Sequence, residues 1–151
     1  MTIYTPLKRQ ELKILKERLK DDYNFITSKD WFFYELGSGR IWLFTPELND
    51  FDTSKLNVES IGLYFAFLND ERLRLSPEAA QLVGKTATKN VFTLTDEQAD
   101  EIIKGFDIET NTNLDAEYII LKTSKGILGV GKNHKSKILC QFRKNRRIRK
   151  L

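Results

Sequence analysis

The stretch GILGVGKN, residues 126–133, agrees with seven of the eight positions of the nucleotide-binding loop G-x-x-x-x-G-K-[ST]. In such a loop the glycines let backbone N–H groups wrap phosphates, the lysine reaches the terminal phosphates, and a Ser or Thr hydroxyl holds magnesium. Asn133 stands where that hydroxyl belongs, and an amide replaces it poorly. A working phosphate loop also follows a strand, opens a helix and heads a parallel sheet that supplies further ligands. Only 18 residues follow Asn133. Within them Ile138, Cys140 and Phe142 recur at a spacing of two, the period of a half-buried strand. The motif is therefore expected between strands, with Gly126 serving a hairpin turn. Gly129 and Gly131 would keep a strand bare where another backbone or a ligand approaches.

Other residue types that carry chemistry fare no better as catalysts. His134 has Ser136 two residues away, but no third residue is indicated to orient the imidazole. Asp96, Glu97, Asp100 and Glu101 read as the first turn and solvated face of a helix, where the dipole favours carboxylates, rather than as metal ligands. One cysteine and one histidine make neither a disulfide framework nor a zinc site of the usual kind. The inward register of Cys140 makes it a small buried hydrophobe. Trp31, Phe32, Phe33, Tyr34, Trp42 and Phe44 are of a type that stacks nucleobases, yet on a hairpin beside a helix most belong to the core, with alternate positions facing outward. No cofactor is implied.

The elements that must position these residues are legible from caps and periods. Thr5-Pro6 reads as a cap and first helical position, with Leu12, Leu15 and Leu19 as the apolar stripe of a helix over residues 6–20. Two aromatic strands flank Gly37-Ser38-Gly39 in a hairpin. Residues 46–58 read as a connection, and IGLYFAFL, residues 61–68, as a strand covered on both faces. Ser76-Pro77 opens a helix that Gly84 stops. A short strand NVFTL precedes a helix over residues 96–104, capped by the Thr95/Gln98 box and ended by Gly105. Beyond it, residues 106–109, 117–123, 127–131, 137–142 and 146–150 read as strands. The outcome is an α+β chain in two blocks, residues 1–84 and 85–151. The second is small and mostly β, and it is expected to form a closed or nearly closed barrel, since closure removes exposed edges.

At 151 residues and 40% hydrophobic content the chain can bury a real core. Its longest apolar run is far short of the roughly 20 residues that span a bilayer, and the N-terminus shows no signal-peptide core. A cytoplasmic location without membrane association is the expectation. The net charge of +4 hides a strong asymmetry. Residues 132–151 hold nine cations and no acid, which leaves residues 1–131 with 16 basic and 21 acidic side chains, a net of −5. A segment of that charge attracts polyanions, of which nucleic acid is the commonest in the cytoplasm.

The order VFTL, TDEQADEIIKG, FDIE, EYIILKTSKGILGVGK and a basic end resembles a PUA domain, the RNA-binding pseudo-barrel. The Y-x-x-x-K-x-x-x-G-x-L-G-x-G-K stretch is especially similar to the PUA-like tail of NOP/Sun-class RNA cytosine-5 methyltransferases and to their small archaeal stand-alone relatives, which carry an N-terminal α/β half of similar size. The resemblance implies a pre-PUA-like half over residues 1–84 and a PUA-like pseudo-barrel over residues 85–151. It also implies a non-catalytic protein that binds ribosomal or transfer RNA in ribosome biogenesis or RNA modification. The RNA contacts it implies are Lys104 and Gly105 at the helix-to-strand turn, and Gly129, Gly131 and Lys132 on the glycine strand. The basic end supplies Lys135, Lys137, Arg143, Lys144, Arg146, Arg147, Arg149 and Lys150. The methyltransferases' catalytic domain has no counterpart here, and Cys140 matches neither of its cysteine motifs. Two alternatives stand beside this reading: an adaptor docking on an RNA methyltransferase or ribosome-assembly protein, and a small enzyme working with carboxylates alone.

Overall fold

The computed structural model describes residues 5–45, 62–70 and 72–148. In the first part, strand β1 (Thr5–Pro6) leads to helix α1 (Arg9–Tyr23), the hairpin β2 (Phe32–Glu35) and β3 (Arg40–Phe44), then β4 (Leu63–Leu68), β5 (Leu73–Leu75) and helix α2 (Pro77–Val83). The five strands form one antiparallel sheet in chain order. In the second part come β6 (Val91–Thr93), helix α3 (Asp96–Lys104), β7 (Ile108–Glu109), β8 (Tyr118–Thr123), β9 (Gly126–His134) and β10 (Lys137–Cys140), then a 3-10 turn (Lys144–Arg146). Their sheet order is β6-β8-β9-β10-β7, with β6 parallel to β8.

The local signals place most of these elements. Ser76 caps α2 by accepting from the Ala79 N–H at 3.0 Å. The Thr95 hydroxyl accepts from the Gln98 N–H at 3.1 Å while the Gln98 side chain accepts from the Thr95 N–H at 3.0 Å, a complete capping box. Gly105 ends α3 at φ 99°, the left-handed region that favours glycine.

Two expectations need correction. Thr5-Pro6 is not a helix cap but an edge strand, pairing with Glu35 and Tyr34; a proline is tolerated on an edge because it has no N–H to withhold from a neighbour. The helix starts at Arg9, where the Glu11 carboxylate accepts from the Lys8 N–H at 2.7 Å, and its buried stripe runs Leu15, Leu19, Tyr23. The second sheet curls into a half barrel, in keeping with the pseudo-barrel expected: its edges β6 and β7 are joined by α3, whose Ala99 and Ile102 enter the interior with Ile119, Leu121 and Ile138. Residues 144–146 form a 3-10 turn instead of starting a strand. The connection expected over residues 46–58 lies outside the described residues, as do Arg149 and Lys150.

The core does not stop between the two sheets. Tyr118, Ile120 and Val130 of the second sheet belong to the same buried cluster as Leu15, Leu19 and Tyr23 of α1 and Phe33, Ile41, Leu43 and Phe65 of the first sheet. Alternate residues of β8, Ile119 and Leu121, face the half-barrel interior instead. That double burial is why YIIL is an unbroken apolar run. Buried Asn90 adds a polar tie, donating to the Asp22 carbonyl at 2.6 Å and accepting from the Ala116 N–H at 3.2 Å. The shared core fixes the two sheets relative to each other, and with them the walls of the groove described next.

Candidate nucleic-acid interface

GILGVGKN is a central strand, β9, hydrogen-bonded to β8 on one side and β10 on the other. Gly126 sits at the hairpin turn with φ 133° and open space above it. Gly129 and Gly131 are buried, and the protein itself fills the space they leave. A Cβ on Gly129 would lie 2.8 Å from the Phe142 ring; one on Gly131 would lie 2.6 Å from Ile138 Cγ2 and 3.1 Å from Leu121 Cδ1. The space beside these glycines is taken by side chains of the protein itself. Asn133 also has a structural use. Its amide donates to the carbonyls of Leu114 at 2.9 Å and Ala116 at 3.4 Å, and its oxygen accepts from the Thr112 hydroxyl at 3.0 Å. It pins the segment that leads into β8, which a serine is too short to do.

The cations of the basic end divide by what they touch. Lys132 is half-buried, 3.5 Å from the Glu117 carboxylate, which Arg72 also approaches at 3.1 Å. Lys137 faces Glu109 at 3.8 Å. Lys135 is exposed at the β9–β10 turn, with φ 52°. Arg147 lies over Gly105, its Cδ 2.7 Å from where a Cβ would be, and its Nε donates to the Phe142 carbonyl at 3.0 Å. The Ile148 N–H donates to the Ile103 carbonyl at 3.0 Å, so residues 147–148 are strapped across the C-terminus of α3, beside half-buried Lys104. Between these anchors Arg143, Lys144 and Arg146 are exposed on the 3-10 turn. Cys140 is half-buried, its N–H held by Asp107 at 2.8 Å.

Arg146 reaches across to α2 and donates to Glu78 at 2.7 Å. Burial pushes the Glu78 carboxyl up, but the Arg146 hydrogen bond and the charges of Arg146 and Arg143 outweigh it and hold the group below its ordinary value. This contact lies on the rim of a groove of about 950 Å³ between the outer face of the first sheet and the second part of the chain. One wall carries Arg40, Trp42, Tyr64 and Arg74; the other carries Tyr118, Phe142 and Arg143. Trp42 and Tyr64 are cross-strand neighbours with ring centroids 5.5 Å apart, and the Arg74 guanidinium lies 5.6 Å from the Tyr118 ring centroid.

Sequence reasoning did not single out Arg40, Arg72, Arg74 or Tyr64. The alternation in RIWLF and LRL was the available signal: Ile41, Leu43, Leu73 and Leu75 are buried, so Arg40, Trp42 and Arg74 point the other way. Of the six aromatics considered for stacking, Trp42 lines the groove, whereas Trp31 packs into the core against Phe25, Phe33 and Phe65. Among the described residues no group of His, Cys, Asp and Glu is arranged to hold a metal ion, and no helix is long and apolar enough to cross a membrane.

Residues 89–148 match the family model described as the methyltransferase RsmF PUA domain. The fold as a whole is similar to that of a conserved PUA domain protein from Thermoplasma acidophilum, with a TM-score of 0.59 over 94% of this chain and 95% of that one at 13% identity. At that identity the likeness speaks for the fold alone. No curated protein matches the sequence significantly.

Proposed function

We propose, from the match of residues 89–148 to a methyltransferase PUA-domain model and the likeness of the fold to a PUA domain protein, that the chain is a non-catalytic cytoplasmic protein that binds structured ribosomal or transfer RNA during ribosome biogenesis or RNA modification. RNA binding is what PUA domains do generally; the class of RNA and the process are the proposal. The observation that carries it is the anchored basic turn. Arg147 and Ile148 are strapped against the end of α3, so Arg143 and Lys144 project from a folded surface and not from a loose arm. Cations held in place lose less entropy on meeting phosphates, and they position a duplex without reading its bases. With Gly129 and Gly131 withdrawn into the core, the work falls to side chains: Lys135, Arg143, Lys144 and, when Glu78 releases it, Arg146.

The test is the salt dependence of binding to a blunt RNA hairpin. Three or four phosphate contacts give a slope of log K against log salt of about −2 to −4. A slope near zero, or no binding at about 100 mM salt where phosphate contacts still dominate, would reject the reading and bring forward the adaptor for a methyltransferase or ribosome-assembly protein.

A further inference from the structure

The chain contains 9 arginines and 16 lysines, yet among the described residues the groove between the two sheets is lined by five arginines, Arg40, Arg72, Arg74, Arg143 and Arg146, and by no lysine. Charge alone would not make that selection, since lysine is the commoner cation in this chain. The two side chains differ in geometry. A guanidinium is planar, stacks on flat π systems and grips a phosphate with two parallel N–H bonds, whereas an ammonium is a hydrated point charge. Arginine is chosen where bases and phosphates must be met together.

The groove has matching aromatic surfaces. Trp42 and Tyr64 form a neighbouring pair on one wall, and Tyr118 lies under Arg74 on the other. Nucleobases stack on such rings only when they are unpaired, because a duplex already buries its base faces in its own stack. Among the described residues Glu78 is the one acid that lines the groove, and Arg146 neutralises it at 2.7 Å. Arg40, Arg74 and Arg143 make no ion pair among the described residues. The volume of about 950 Å³ is at the top of the roughly 300–1,000 Å³ range of small-molecule sites, which leaves room for more than one nucleotide.

We propose that this groove binds an unpaired stretch of RNA, its bases stacked on Trp42, Tyr64 and the arginine planes, and its phosphates held by Arg40, Arg74 and Arg143. The site deepens the RNA-binding reading and rests on it. Arg143 belongs both to the basic turn and to the groove, so a duplex held on the turn feeds its single-stranded extension directly into the cleft. An acidic peptide would satisfy the arginines but leave the aromatic pair without a partner of its own kind.

The experiment compares three probes on the full chain: a blunt RNA hairpin, the same hairpin with a five-nucleotide single-stranded overhang, and an oligo-glutamate peptide. The overhang raises affinity about tenfold or more, since base–aromatic stacking is worth about 1–3 kcal/mol per base and 1.4 kcal/mol is tenfold. It also quenches tryptophan fluorescence, and the quench disappears in Trp42→Phe. Arg40→Ala with Arg74→Ala, both exposed positions, abolishes the gain from the overhang and keeps blunt-hairpin binding. Arg40→Lys with Arg74→Lys also loses most of the gain although charge is preserved. An overhang that adds nothing, or a gain that survives in the double alanine variant, overturns the groove assignment. Quenching of Trp42 by the oligo-glutamate and not by the overhang assigns the groove to an acidic peptide instead. Loss of blunt-hairpin binding with overhang quenching retained rejects the duplex reading alone and upholds the groove.

Discussion

The buried hydroxyl of Tyr23, the last residue of α1, donates a 2.7 Å hydrogen bond to the carbonyl of Tyr118, the first residue of β8. One bond thus ties the helix of the first sheet to the strand that both cores share. Removing the hydroxyl while keeping the ring leaves a buried carbonyl short of a partner, at a cost of about 1–3 kcal/mol. Tyr23→Phe is expected to lower the unfolding free energy by that amount, read as a lower urea midpoint at unchanged m, with both sheets unfolding in one transition. Burial pushes the Tyr23 phenol above its ordinary value of 10.0. The folded state therefore holds this proton more tightly than the unfolded one. The stability linked to it is fully present below about pH 10 and is lost as pH rises past that point. The alkaline loss should be smaller in Tyr23→Phe, as read from urea midpoints between pH 9 and 11.

Asn133→Ser completes the sequence motif of a phosphate loop, yet it is expected to destabilise the protein and confer nothing. The amide that bonds Leu114, Ala116 and Thr112 is lost, at about 1–2 kcal/mol for a half-buried group. The strand context stays unchanged. Calorimetry with millimolar ATP and magnesium should show no saturable heat for either form, and a chemical melt should show the loss of stability.

Gly131→Val acts on the fold before it acts on RNA. The first added carbon would meet Ile138 Cγ2 at 2.6 Å and the Leu121 methyls at 3.1 and 3.3 Å, so an overpacking cost of about 1–3 kcal/mol is expected. A thermal melt decides this. An unchanged melt with weakened RNA binding would return Gly131 to the interface.

Arg143→Ala with Lys144→Ala should flatten the salt slope for hairpin RNA by about 1.4 to 1.8 units, two phosphate contacts' worth, with the melting curve unmoved because exposed charges contribute little to stability. Arg147→Ala should behave differently. Its side chain covers Gly105 and holds the Phe142 carbonyl, so it should lower the melting temperature and loosen the turn that carries Arg143. Equal slopes for wild type and the double variant would remove the turn from the interface.

Glu78→Gln removes the charge that holds Arg146 at 2.7 Å and keeps the side chain's shape. Freed for phosphate, Arg146 should steepen the salt slope by up to about one unit and tighten RNA binding at low salt. Weaker binding in this variant would mean that Glu78 orients Arg146 for the RNA rather than withholding it.

Local chemistry was legible in the sequence wherever an element is specified by residues three or four apart. Thr95 with Gln98, Ser76 with Pro77, and the glycines of the β2–β3 turn each satisfy or shape a backbone within one turn of chain, so the elements they begin or join stand where the residues say. The family resemblance over the second half also stood in a continuous run of residues. What the sequence did not decide is how such residues are used once distant strands meet. Thr5-Pro6 has the composition of a helix start, and only the free edge of β2 makes it a strand. Gly129 and Gly131 look bare until Phe142 and Ile138 fold over them. The groove is the clearest case: Arg40 and Trp42 come from β3, Arg74 from β5 and Arg143 from the chain's basic end. No period or spacing connects positions that far apart. They become neighbours because Tyr118, Ile120 and Val130 are buried against α1 and the first sheet, which sets the two walls facing each other.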